Sequence, residues 1–82
     1  MQTKSTNAFS NKETNISITQ KELEILEGIS KGKSNKDISE ELFLSTRAVE
    51  YNLTKIFKKL KVNSRSEALA EAVRKGIINV NL

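Results

Sequence analysis

Five basic side chains, Arg47, Lys55, Lys58, Lys59 and Lys61, fall within residues 45–62 against a single acid, Glu50. They neutralise a polyanion and donate hydrogen bonds to phosphate oxygens and base edges. The rest of the chain is close to balanced: residues 1–44 carry six basic and seven acidic side chains, and residues 63–82 carry three and two. The net charge of +4 therefore sits on one short stretch.

Other chemistries are poorly supplied. The 82 residues contain no Cys and no His, which removes disulfides, thiolates, the commonest general base and the commonest transition-metal ligand. The acidic residues are spread over positions expected to face solvent, with no carboxylate pair in an apolar setting. An enzyme is not expected and no cofactor is implied, a carboxylate-based enzyme being a rival that would need a polar cleft. No apolar run approaches the roughly 18 residues that a membrane span needs, and the first residues lack the apolar stretch of a signal peptide. The chain is expected to be soluble and cytoplasmic, with no membrane partner.

A basic stretch recognises a polyanion only if something holds it in one shape. Residues 1–15 (MQTKSTNAFSNKETN) have almost nothing to bury and are expected to form a flexible arm or linker ahead of a domain over residues 16–82. From Ile16 the pattern changes. Thr19, Gln20, Lys21 and Glu22 spell a capping box flanked by Ile18 and Leu23, and Leu23, Ile25, Leu26 and Ile29 make one helical face that Gly32 ends. Ser34 opens a short second helix, with Asp37 well placed near its positive end and Ile38 and Leu42 on its inner side. Phe43 and Leu44 form a short apolar connection.

Ser45 then opens the third helix, over residues 46–61. Val49, Leu53, Ile56, Phe57 and Leu60 recur on one side; Arg47, Glu50, Tyr51, Thr54, Lys55 and Lys58 occupy the other. Ser64 and Glu67 suggest another capping box at the head of a fourth helix. Its expected inner positions are Ala68, Leu69, Ala72 and Val73, with Gly76 as a left-handed stop and Ile77 folding back on Ala72. Glu67, Ala70, Glu71 and Arg74 are left on its outer side, either as ordinary solvent-facing residues or as a two-fold contact around Ala70 in which Glu71 and Arg74 pair across the axis.

A short helix, a turn of about three residues and a longer basic helix form a helix-turn-helix. The major groove of B-DNA, about 12 Å wide, admits one helix exposed along a side. With that arrangement in place, residues 18–78 resemble the LuxR/GerE-type helix-turn-helix, the output domain of NarL/FixJ-type response regulators. The resemblance rests on Thr19, Glu22 and Glu24; on the run from Gly32 to Ile38; on Leu42, Phe43, Leu44 and Ser45; on Val49, Lys59 and Leu60; and on the run from Val62 to Ala68.

The resemblance implies an all-α, four-helix bundle, sequence-specific binding of double-stranded DNA in bacterial promoters, and a homodimer formed through the last helix. Base reading would fall to Glu50, Tyr51 and Thr54, with Arg47 and Lys55 beside them. Lys59 matches a phosphate-binding lysine of the family, and Lys36, Ser45, Thr46 and Lys58 are the other expected phosphate contacts. RNA polymerase is a further candidate partner.

Four positions depart from the family pattern: Ala48 replaces a threonine, Glu50 a commonly basic residue, Asn52 a frequent histidine and Ser39 a small alanine. Glu50 cannot bind phosphate, but it can accept from a cytosine amino group or pair with Arg47 or Thr54. Tyr51 reads equally as a base contact or as a surface-packed aromatic. The expected function is a transcription regulator, or its output domain. The alternative is a protein-interaction module that kept the fold and lost DNA binding.

Overall fold

The structure, a computed structural model, describes residues 16–79; the arm expected over residues 1–15 lies outside them. Four helices follow one another: α1 (Gln20–Ser30), α2 (Asn35–Leu42), α3 (Thr46–Leu60) and α4 (Arg65–Arg74). Among the described residues there is no strand. The all-α bundle and its four elements are as the sequence leads one to expect, and three residues separate α2 from α3.

Each helix starts on a serine or threonine whose hydroxyl accepts a backbone N–H three residues on: Thr19 from Glu22, Ser34 from Asp37, Ser45 from Ala48 and Ser64 from Glu67. The box is closed by a returning carboxylate at α1, where Glu22 accepts from the Thr19 N–H, and also at α2, where Asp37 does the same for Ser34. At α4 the expectation needs correcting. The Glu67 carboxylate overreaches Ser64 and accepts instead from the Asn63 N–H at 2.7 Å, so only half of that box forms.

The four helices also stop alike. After α1, the Gly32 and Lys33 N–H groups donate back to Ile29 and Gly28, and after α4 those of Gly76 and Ile77 donate to Val73 and Ala72. The same double closure follows α2, through Phe43 and Leu44, and α3, through Lys61 and Val62. Each closure needs one residue in the left-handed region. Gly32 and Gly76 adopt it without steric cost, whereas Phe43 (φ 58°) and Lys61 (φ 60°) carry a Cβ into it.

The core is aliphatic. Ile25, Leu26 and Ile29 of α1, Ile38 of α2, Val49, Leu53, Ile56 and Leu60 of α3, Ala68 and Ala72 of α4, and Ile78 form one buried cluster. Burying each larger side chain contributes about 1.5–3 kcal/mol. Gly28 in the middle of α1 lets Ile38 approach: a Cβ there would lie 2.8 Å from the Ile38 Cγ1. Ser39, where the family pattern favours alanine, is buried and satisfied, its hydroxyl donating to the Lys36 carbonyl at 2.7 Å.

One apolar residue departs from its expected place. Val73 is 41 % exposed rather than inward-facing, because the stripe of α4 runs through Ala68 and Ala72. Phe43 is 94 % exposed: its left-handed backbone turns the ring outward while Leu44 packs against the core.

Candidate nucleic-acid interface

Only one side of α3 is needed to hold the bundle together. Val49, Leu53, Ile56 and Leu60 are buried, and at 100° per residue the opposite arc runs through Glu50, Thr54, Arg47, Lys58 and Tyr51. All five of these side chains are exposed and Lys55, at the edge of the arc, is half-buried. Arg47 and Lys58 lie nearly in line, about 16 Å apart along the axis at about 1.5 Å per residue. Among the described residues neither has an ion pair, and neither does Glu50.

Smaller contacts shape this arc. The Thr54 hydroxyl donates to the Glu50 carbonyl at 3.1 Å, so its link to residue 50 is to backbone rather than to the carboxylate. Asn52, on the flank, donates from its amide to the Ala48 carbonyl at 2.8 Å. The Lys55 ammonium sits 5.3 Å from the centre of the Tyr51 ring, and the ring itself is 66 % exposed. Ser45 and Thr46, at the head of α3, are exposed.

Lys59 takes a different course. It was expected on a phosphate, but its three N–H donors meet three acceptors inside the protein: the Ser17 carbonyl at 2.7 Å and the two Glu22 carboxylate oxygens at 2.8 and 3.0 Å. All three donors are thus engaged within the protein itself. Glu22, read in the sequence only as a cap and among acids expected in solvent, is fully buried, with 0 % exposure. Burial pushes its carboxyl pKa up. The Lys59 and Thr19 hydrogen bonds, with the charges of Lys59 and Lys55, outweigh that and hold it below the ordinary value of 4.5. A signal for this burial existed, since residue 22 falls on the same helical stripe as Ile25, Leu26 and Ile29.

Lys36 at the head of α2 is exposed and reaches Glu40 at 3.4 Å, an i,i+4 pair of little strength. That end of α2 is tied to α4 by a contact with no local sequence signal. The Arg65 guanidinium donates to the Asn35 side chain and to the Lys33 carbonyl. On α4, Glu67, Ala70 and Arg74 are exposed and Glu71 is half-buried. Glu71 and Arg74 pair within the helix at 2.6 Å, and that guanidinium hydrogen bond holds the Glu71 carboxyl below its usual range. The pairing expected across a two-fold axis is thus already made within one chain.

A basic, exposed arc on the second helix of a helix-turn-helix defines a nucleic-acid-binding module, and the described residues contain no cluster of side chains able to hold a metal ion and no helix long and apolar enough to cross a membrane. Residues 16–72 match the bacterial regulatory proteins of the luxR family (GerE). The chain belongs to that family of DNA-binding transcription regulators and carries its helix-turn-helix unit.

It is 44 % identical over 63 residues to the transcriptional regulatory protein LiaR of Bacillus subtilis (strain 168), covering 77 % of this chain and 30 % of that protein. It is also 44 % identical over 69 residues to the transcriptional regulatory protein ComA of the same strain, covering 84 % and 32 %. A crystal structure of the response regulator ChrA, from a heme-sensing two-component system, superposes with a TM-score of 0.74 at 32 % identity, over 76 % of this chain and 31 % of that one. The chain thus spans about a third of the length of these relatives.

Proposed function

We propose that α3 enters the major groove of double-stranded DNA, in the cytoplasm, with Arg47, Glu50, Tyr51, Thr54 and Lys55 facing base edges. Lys58 and Lys36 bind phosphates, joined by the Ser45 and Thr46 hydroxyls at the head of α3. The Ser45 oxygen accepts from the Ala48 N–H, which leaves its proton for a phosphate oxygen. Lys59 is not in this set. A second copy binds through the outer side of α4, around Glu67, Ala70, Glu71 and Arg74, so that two α3 helices address two half-sites. The bound dimer regulates transcription, with RNA polymerase as the partner that reads its presence.

The single observation that carries this reading is the outer arc of α3, where Arg47 and Lys58 are exposed and without an ion partner among the described residues. Charges that a fold leaves unpaired on one helix add nothing to its stability, but they gain from releasing counterions on a polyanion. Titrating the protein with duplex DNA at several salt concentrations tests it. The logarithm of the binding constant is expected to fall linearly with that of salt, by about 0.9 for each phosphate neutralised. A flat salt response overturns the reading.

A further inference from the structure

Tyr51 and Lys55 are one turn apart on α3, and the ammonium lies over the ring, 5.3 Å from its centre. We infer that the two side chains form a single reading unit, in which the Tyr51 ring is a positioning residue that holds the Lys55 ammonium toward the acceptor edge of a guanine. The inference rests on the major-groove reading of α3 and deepens it.

A lysine reaches its ligand on four rotatable bonds, and ordering them on binding costs affinity. A ring beneath the ammonium selects the few rotamers that lie along the face of the helix, so part of that ordering is complete before DNA arrives. The attraction of an ammonium for an aromatic face strengthens as water is removed, as it is inside a groove. Nothing else competes for Lys55: among the described residues it makes no ion pair, and Glu22, whose carboxyl feels its charge, is saturated by Lys59 and the Thr19 amide. Arg47 and Lys58 have no such platform and remain general phosphate or base donors. The ammonium offers donors only, so the complementary base edge is the O6 and N7 acceptor pair of guanine. The ring does the positioning, so the tyrosine hydroxyl is not required for it.

Two measurements test the pair. In the free protein, proton resonances of the Lys55 ε-methylene should be shifted upfield by the ring, restored to ordinary values in Tyr51→Leu and kept shifted in Tyr51→Phe. In selections of bound sequences from a random duplex pool, Lys55→Met and Tyr51→Leu should relax the same guanine position, each by about tenfold. The double variant should relax it no further, and the conservative Tyr51→Phe should retain it. Tyr51→Leu and Lys55→Met acting on different base pairs, multiplicative losses in the double variant, or Tyr51→Phe behaving like Tyr51→Leu would each overturn the coupling while leaving groove binding intact. Wild-type protein that enriches no sequence would overturn the groove reading itself.

Discussion

Lys58 and Lys59 are neighbours in sequence and identical in chemistry, yet the fold gives them opposite surroundings. Lys58 lies on the outer arc of α3 with no ion partner among the described residues, whereas Lys59 turns onto the flank and spends every donor on Glu22 and Ser17. The same contrast extends over the molecule. The framework follows inexpensive rules: α1 and α4 stop on glycine, and the buried carboxylate is paired. The helix-turn-helix pair does not. Helices α2 and α3 stop on Phe43 and Lys61 in left-handed backbone, and Tyr51 and Phe43 are left in water. The buried ion pair is satisfied inside the protein, whereas Arg47 and Lys58 on the outer arc of α3 have no ion partner among the described residues.

The largest expected effect lies at the Glu22–Lys59 pair. Glu22→Ala strands a half-buried ammonium and Lys59→Ala strands a fully buried carboxylate. Each should cost about 3 kcal/mol in urea unfolding, the low end for breaking a buried pair because Lys59 retains some solvent. Since the Glu22 carboxyl is held below 4.5 in the folded state, its contribution is present above that pH and is lost as the pH falls through the lower folded value. Acid unfolding of Glu22→Gln should lack that part of the slope. A Lys59→Ala variant as stable as wild type, but weaker on DNA, would break the contrast between the two lysines.

Lys58→Ala is the counterpart. Stability should stay within about 0.5 kcal/mol of wild type, while the salt dependence of DNA binding loses about 0.9 in slope, the mark of one phosphate contact. Unfolding and binding measured on the same preparation separate the two effects.

The helix stops give smaller effects than the buried pair, with opposite signs. Gly32→Ala forces a Cβ into φ 77° and should cost about 1 kcal/mol. Phe43→Gly relieves the corresponding strain, offset by the freer unfolded chain, and should stabilise by about 0.5 kcal/mol in thermal unfolding. A loss of stability in Phe43→Gly would show that the exposed ring contributes to the fold after all.

Much of the fold was legible because its rules are local. A serine or threonine three residues before the N–H it caps, a glycine after the last turn and an apolar stripe of period 3.6 all act within one or two turns of chain. Such signals located the four helices and separated the buried side of α3 from its outer arc. They were less exact where two local partners compete, as at Glu67, which prefers the Asn63 amide to that of Ser64. The second box, closed by Asp37 where glutamate is the usual residue, was visible only as a favourable charge.

What the sequence determined, then, is the set of elements and the arc of α3 that carries charge, since both follow from backbone periodicity alone. Only the tertiary structure decided which charges are available. Lys59 meets Glu22 across 37 residues of chain, and Arg65 meets Asn35 across 30. Such contacts depend on where α1 and α4 pack against their neighbours, and no spacing along the chain records that. A lysine is free or spent according to what the packing brings within 3 Å of its nitrogen.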